Sequence, residues 1–158
     1  MTALIFQALP TDVVLAYRAG GPDANGMPAE RVVCAEACTA PCRHCLSYIP
    51  KGAEMLILAH RPFGTAQPYA ETGPIFLCAA ACNRWEARGA PPVVLDSKED
   101  RLVKGYSQDD RVVYGLGQVV APNDVVARAR TVLKDPRVAY VHVRSSTNNC
   151  FTCQVEQS

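Results

Sequence analysis

The chain lacks most of the features that announce a function. No apolar run approaches the roughly 20 residues needed to span a bilayer. Sixteen basic and 15 acidic side chains leave a formal net charge of +1. That argues against a broad basic face for nucleic acid, although a local patch stays open. There is one tryptophan, Trp85. With Arg84 and Arg88 it is a candidate surface anchor for a partner, but a single aromatic is thin support. The opening MTALIFQALPTD has neither a positive start nor a small-residue cleavage site, so it does not read as a signal peptide. The expected compartment is the cytoplasm. No P-loop, H-E-x-x-H or G-x-S-x-G occurs. The G-x-G of YGLG (114–117) has Val120 where a third glycine belongs, so the dinucleotide fingerprint fails. No repeat, low-complexity run or linker breaks the sequence, and residues 1–158 read as one domain.

What the chain does have is thiols. Its 158 residues hold eight cysteines. Cys34, Cys38, Cys42 and Cys45 crowd the stretch VCAEACTAPCRHC, and Cys78 with Cys82 and Cys150 with Cys153 follow as pairs. Thiols at this density serve as metal ligands, redox pairs or small buried apolar groups. In a reducing compartment a disulfide scaffold is the wrong first reading. The apolar content, 49% of residues, is enough for a core without staples.

Cys42-Arg43-His44-Cys45 is a C-x2-C knuckle. Two thiolates at this spacing in a tight turn hold one face of a tetrahedral zinc. A second pair would close the site, and each of the other three pairs is a candidate, with His44 as a further donor. The strongest zinc signature, two such knuckles about 15 to 20 residues apart, is absent. The metal set expected from the sequence is Cys42 and Cys45, completed by Cys34, Cys38 or Cys78, with zinc as the cofactor. Cys38, Cys42 and Cys45 also spell C-x3-C-x2-C, the iron–sulfur spacing of radical S-adenosylmethionine enzymes. The chain is too short for their barrel, so that match is a coincidence. The packing alternative is strong elsewhere. Cys78 shares a strand face with Phe76, and a strand over 151–155 places Phe151, Cys153 and Val155 on one face with Cys150 off it.

Periodicity predicts an α+β fold with a largely antiparallel sheet. Strands are expected at 2–9, 54–60, 75–79, 93–96, 101–107, 111–120, 137–145 and from 151 onward. A short helix capped by Thr11 is expected over 11–18, with continued strand as the alternative, and one or two helical turns after residue 79. The clearest helix is 123–135, capped by Asn123 or Asp124, stopped by Pro136, and striped by Val125, Val126, Ala129, Val132 and Leu133.

A second hypothesis uses different residues. On 138–144, Ala139, Val141 and Val143 point to a core, while Tyr140, His142 and Arg144 point the other way. That second face is either solvated or a pocket for an anion. His60 and Arg61 end a buried strand, and the loop at 62–74 is long enough to be a lid or a wall. Arg43, His60, Arg61, Tyr140, His142 and Arg144 therefore form the candidate ligand-binding set, for a small anionic molecule or a peptide, in a non-catalytic binding domain. Neither nucleic acid nor membrane is an expected partner. A nucleophilic Cys42 or Cys150 beside His60 or His142 is the third reading, and no catalytic residue is assigned.

Four segments together carry a family resemblance: PCRHCL (41–46), RPF (61–63), PYAETGPIF (68–76) and DPRVAYVHVRSSTNNCFTC (135–153). In this order the chain, from about Ile5 onward, resembles the small bacterial family catalogued as domain of unknown function 1203. The resemblance implies a compact bacterial single-domain protein and supplies no catalytic residue. It also implies that Cys34, Cys38 and Cys45 belong to a subgroup, since relatives often carry only the first cysteine of the knuckle and histidine at position 78. That draws interest to Cys42, Cys78, His142 and Cys150, because cysteine and histidine exchange as ligands of one metal.

Overall fold

The structure, a computed structural model, describes every residue except Met1, residues 36–38 and residues 87–88. The elements run β1 (Leu4–Gln7), α1 (Thr11–Arg18), β2 (Glu30–Val33), β3 (Glu54–His60), β4 (Gly73–Cys78), β5 (Arg101–Tyr106), β6 (Gln118–Val120), α2 (Val125–Leu133), β7 (Tyr140–Ser145) and β8 (Phe151–Gln157). They form a five-stranded sheet of order β1-β8-β7-β5-β6 and a three-stranded sheet of order β2-β3-β4. All strand pairs within them are antiparallel, and the fold is α+β as the sequence predicts. Among the described residues no helix is long and apolar enough to cross a membrane.

Each sheet has its own core. On the larger sheet, Val125, Ala129, Val132 and Leu133 of α2 are buried with Val103, Val141, Val143, Cys153 and Val155. The helical stripe meets the inward face of strands that alternate as expected. Gly105 lets the helix approach closely, since a Cβ there would lie 2.8 Å from Val132 Cγ1. On the smaller sheet, Val14 of α1 packs with Met55, Leu56, Leu58, Ile75 and Leu77 of β3 and β4, and Cys34 and Cys42 belong to this second core.

The outward face of β7 is not solvated. His142 is 0% exposed and sits among Phe63, Tyr106, Tyr140 and Phe151 with ring centroids 4.6–5.3 Å away. Phe63 comes from the long loop after β3, so that loop is a wall. Phe151 reaches this layer through a β-bulge. Val143 pairs with Cys153, but Arg144 pairs with Phe151, so Thr152 is the extra residue. The bulge inverts the alternation, and Phe151 does not share a face with Cys153 and Val155 as strict pleating predicts.

Other local expectations are corrected. Helix α1 starts at Thr11, but Pro10 holds the N-cap position and no side chain caps it. Residues 79–86 contain no helix; their polar groups serve tertiary contacts, with Arg84 donating to the carbonyls of Ala8 and Leu9. Residues Val93–Leu95 form a 3-10 turn, not a strand, because Pro91 and Pro92 remove ladder donors and Val94 N–H donates to Leu46 O. Of 111–120 only Gln118–Val120 is a strand, since Gly115 takes a positive φ of 89°. A 3-10 turn, Pro122–Asp124, precedes α2, and no side-chain cap bond is made by Asn123 or Asp124.

Candidate metal centre

The knuckle lies in a tight loop between β2 and β3. Ile49 N–H donates to Ala40 O, Cys42 N–H to Ser47 O, and Leu46 N–H to Cys42 O. Closing this turn places Leu46 at φ 50°, a left-handed conformation that costs about 1 kcal/mol for a residue with a Cβ. Burial of the Leu46 side chain in the larger core offsets that cost. The loop is docked on β4 by Arg43 N–H donating to Phe76 O. Cys78 is the last residue of β4, and Cys82 follows in the irregular segment beyond it.

This arrangement gathers four sulfurs. Those of Cys42, Cys45, Cys78 and Cys82 all lie within 4.8 Å of one another, and Cys42 Sγ is 4.0 Å from Cys82 Sγ. A tetrahedral thiolate shell with bonds of about 2.3 Å has sulfur–sulfur edges near 3.8 Å, so only small side-chain adjustments separate this group from a coordination shell. All four are free thiols.

Donors converge on the sulfurs. The backbone N–H groups of His44 and Cys78 point at Cys42 Sγ, at 3.4 and 3.3 Å. Arg18 reaches from α1, with Nη2 donating to Cys82 Sγ at 3.2 Å and Nε to Cys78 O at 3.0 Å. His44 Nδ1 is 3.1 Å from Cys82 Sγ, and its Nε2 is 2.9 Å from Thr11 Oγ1. With Nδ1–H donating to sulfur, Nε2 accepts from the Thr11 hydroxyl, which fixes the tautomer. Burial holds the His44 pKa below its usual value, so the ring is neutral and donates to one sulfur.

The thiols share protons unequally. Hydrogen bonds from the Cys45 and Cys78 thiols, supported by backbone N–H groups, hold the Cys42 thiol far below its ordinary pKa. Cys45, which donates to Cys42, is pushed up to about 12. Cys78 is pushed up further by its bonds to Cys42 and Cys45. Cys42, the most buried of the four sulfurs, is thus the common acceptor of these bonds.

Three residues of the expected metal set, Cys42, Cys45 and Cys78, come together. Cys82 joins them, although only its pairing with Cys78 hinted at it. Cys34 lies outside the group: it is disulfide-bonded, against the expectation of reduced thiols, with its sulfur 3.7 Å from Ile49 O, and Cys38 falls outside the described residues. Cys153 is buried in the larger core, and Cys150 stands apart from the group.

The six expected ligand-binding residues do not surround one cavity. His60 and Arg144 line a cavity of about 190 Å³, and Arg43 lines a separate one of about 630 Å³. Arg61, Tyr140 and His142 line neither. Arg144 Nη2 lies 3.1 Å from His142 Nδ1 and Nη1 donates to Asn149 O; Tyr140 donates to Asp110 at 2.8 Å; Arg61 Nε donates to Phe63 O at 3.4 Å. Burial, then the Arg144 charge, drives the His142 pKa well below its ordinary value. Burial and the Arg43 charge lower that of His60 to about 4.

No curated protein and no solved structure matches the chain. A family described as protein of unknown function (DUF1203) matches residues 39–157, a span that holds all four sulfurs of the group, and the chain belongs to that family.

Proposed function

We propose that the protein binds one zinc ion through Cys42, Cys45, Cys78 and Cys82, and that the ion is structural. The observation that carries this reading is the convergence of four thiols from the knuckle, the end of β4 and the segment after it within 4.8 Å. Zinc supplies tetrahedral thiolate bonding without redox change, and four protein thiolates leave no position for water or substrate. The chain's own residues do the rest. The N–H groups of His44 and Cys78 and the guanidinium of Arg18 oppose the negative charge of a four-thiolate shell, and Thr11 holds the His44 ring toward Cys82. Binding releases the protons shared among the thiols, so affinity rises with pH. The site ties the helix-free segment 79–86 to the small sheet.

Elemental analysis of protein purified without chelators tests this directly. About one zinc per chain is expected, with the four thiols unreactive until the metal is removed. Cys82→Ser should lose the metal while Cys153→Ser retains it. A metal-free protein whose four thiols react in the native state overturns the proposal.

A further inference from the structure

A second feature lies away from the sulfurs. Arg43 and Arg101 are 3% and 4% exposed, and among the described residues neither pairs with a carboxylate. Burying a guanidinium without a carboxylate partner is costly; burial works against the Arg43 charge, the nearby Cys150 and Cys42 sulfurs favour it, and the Arg101 charge opposes it. Neutral acceptors offset part of that cost. Arg43 donates through Nε to Phe151 O and through Nη1 to Pro41 O, both at 2.8 Å. Arg101 Nη2 donates to Val94 O at 2.8 Å and Ser97 Oγ at 3.1 Å. The buried Arg101 Nε–H has no partner.

Both arginines line the same cavity, of about 630 Å³, a size suited to a small molecule. Lys51 and Lys98, both exposed, also line it, and Glu99 is its one acidic residue. The lining therefore carries four cations against one anion. Phe76 and Ile49 supply an apolar wall, and Cys150 lies on the lining as well.

The geometry points to a binding site for a small organic oxyanion, a phosphate or carboxylate held between Arg43 and Arg101 with its apolar part against Phe76. Planar guanidiniums match both oxyanions in two-point contacts. The site uses none of the four sulfurs as an anion contact, although Arg43 is held in the knuckle between Cys42 and Cys45, so metal content is read beside anion binding.

The test titrates the full chain, as purified, with phenyl phosphate and with benzoate by calorimetry at constant ionic strength, with sodium chloride as control. Saturable binding with a Kd on the order of 1 mM is expected for at least one probe, together with slower alkylation of Cys150 in its presence. The tighter probe identifies the headgroup. Arg101→Lys should weaken binding about tenfold by losing the planar fork. Lys98→Glu, at an exposed position that does not threaten folding, should weaken it by a similar factor. Metal content is measured in parallel and should be unchanged in both variants. Absence of saturable binding by either probe, or binding that leaves Cys150 reactivity and the Lys98→Glu variant unaffected, overturns the inference.

Discussion

The two sheets stand on different physical footings. The five-stranded sheet is covered by α2, whose apolar stripe buries Val125, Ala129, Val132 and Leu133 against four strands' worth of valine, phenylalanine and cysteine. Burial at about 25 cal/mol per Å² of apolar surface is sufficient to hold such a layer. The three-stranded sheet has no such helix over it: α1 buries only Val14, and the rest of its cover, Cys34, Ala40, Cys42 and Ile49, comes from the loop between β2 and β3. Its edge strand β2 is exposed at every residue, and the chain leaving β4 has no regular structure through residue 86. The sulfur group sits where apolar cover runs out. Under the zinc proposal, the smaller layer gains a cross-link to add to its limited apolar burial, whereas the larger layer is stabilised by area.

Removing the proposed zinc is therefore the sharpest way to break the comparison, and it has the largest expected effect. Chelation should strip amide-exchange protection from β2, β3 and β4 while β7 and β8 keep most of theirs, and the melting temperature should fall. Uniform loss across both sheets would erase the distinction drawn between them.

The seam between the sheets responds to acid instead. His142 faces Arg144 and Lys104 as well as His60, Tyr106 and Tyr140, and both His142 and His60 titrate below their ordinary value in the fold. An unfolded imidazole has a pKa of about 6.5. Below that pH the unfolded chain binds more protons than the native one. Stability is complete above about pH 6.5 and falls as pH drops, by up to about 1.4 kcal/mol per pH unit for each histidine. For His60 the loss levels off near its folded value of about 4. Urea midpoints of metal-loaded protein between about pH 6.5 and 5 should show this slope, and His142→Gln should flatten it. An equal slope in the variant removes His142 from the account.

The larger sheet can be attacked alone. Gly105→Ala places a Cβ 2.8 Å from Val132 Cγ1 and 3.0 Å from Val138 Cγ2. Overpacking of this kind costs about 1–3 kcal/mol. Chemical denaturation should register it with zinc content unchanged. Metal loss in this variant would couple the two halves more tightly than their separate cores imply.

What could be read beforehand follows the range of each signal. Helix α2 and strands β3, β7 and β8 were legible because periodicity is local. Cys42 and Cys45 were legible because a knuckle is a four-residue motif. Cys78 carried two readings, ligand and core, since it closes a buried strand and also faces the knuckle. Cys82 was legible only as the partner of Cys78 in one of three candidate second pairs, because spacing alone does not say that the chain leaving β4 carries both sulfurs to the knuckle. Burial of Arg43 beside Arg101 had no sequence signal, because 58 residues separate them and the knuckle that holds Arg43 says nothing of Arg101. The bulge at Thr152 was equally silent. One inserted residue leaves composition and alternation intact and still turns Phe151 to the opposite face.

The finest division of labour lies in the shell around the sulfurs, and it gives the smallest effects. Arg18 contacts Cys82 Sγ and the Cys78 carbonyl directly, whereas Thr11 acts only through the His44 ring. Groups at this distance from a metal typically alter its affinity about 10–100-fold. Arg18→Met removes a positive charge from the neighbourhood of a four-thiolate shell and should fall in the upper part of that range. Thr11→Val keeps the shape and position of the first residue of α1 but withdraws the hydroxyl from Nε2. The ring then loses its preference between tautomers and its aim at Cys82, for a loss of about tenfold. Competition with a chromophoric zinc chelator measures both. The order matters more than either value: if Thr11→Val costs as much as Arg18→Met, the ring's orientation outweighs the guanidinium's charge, and the shell works by geometry instead of by electrostatics.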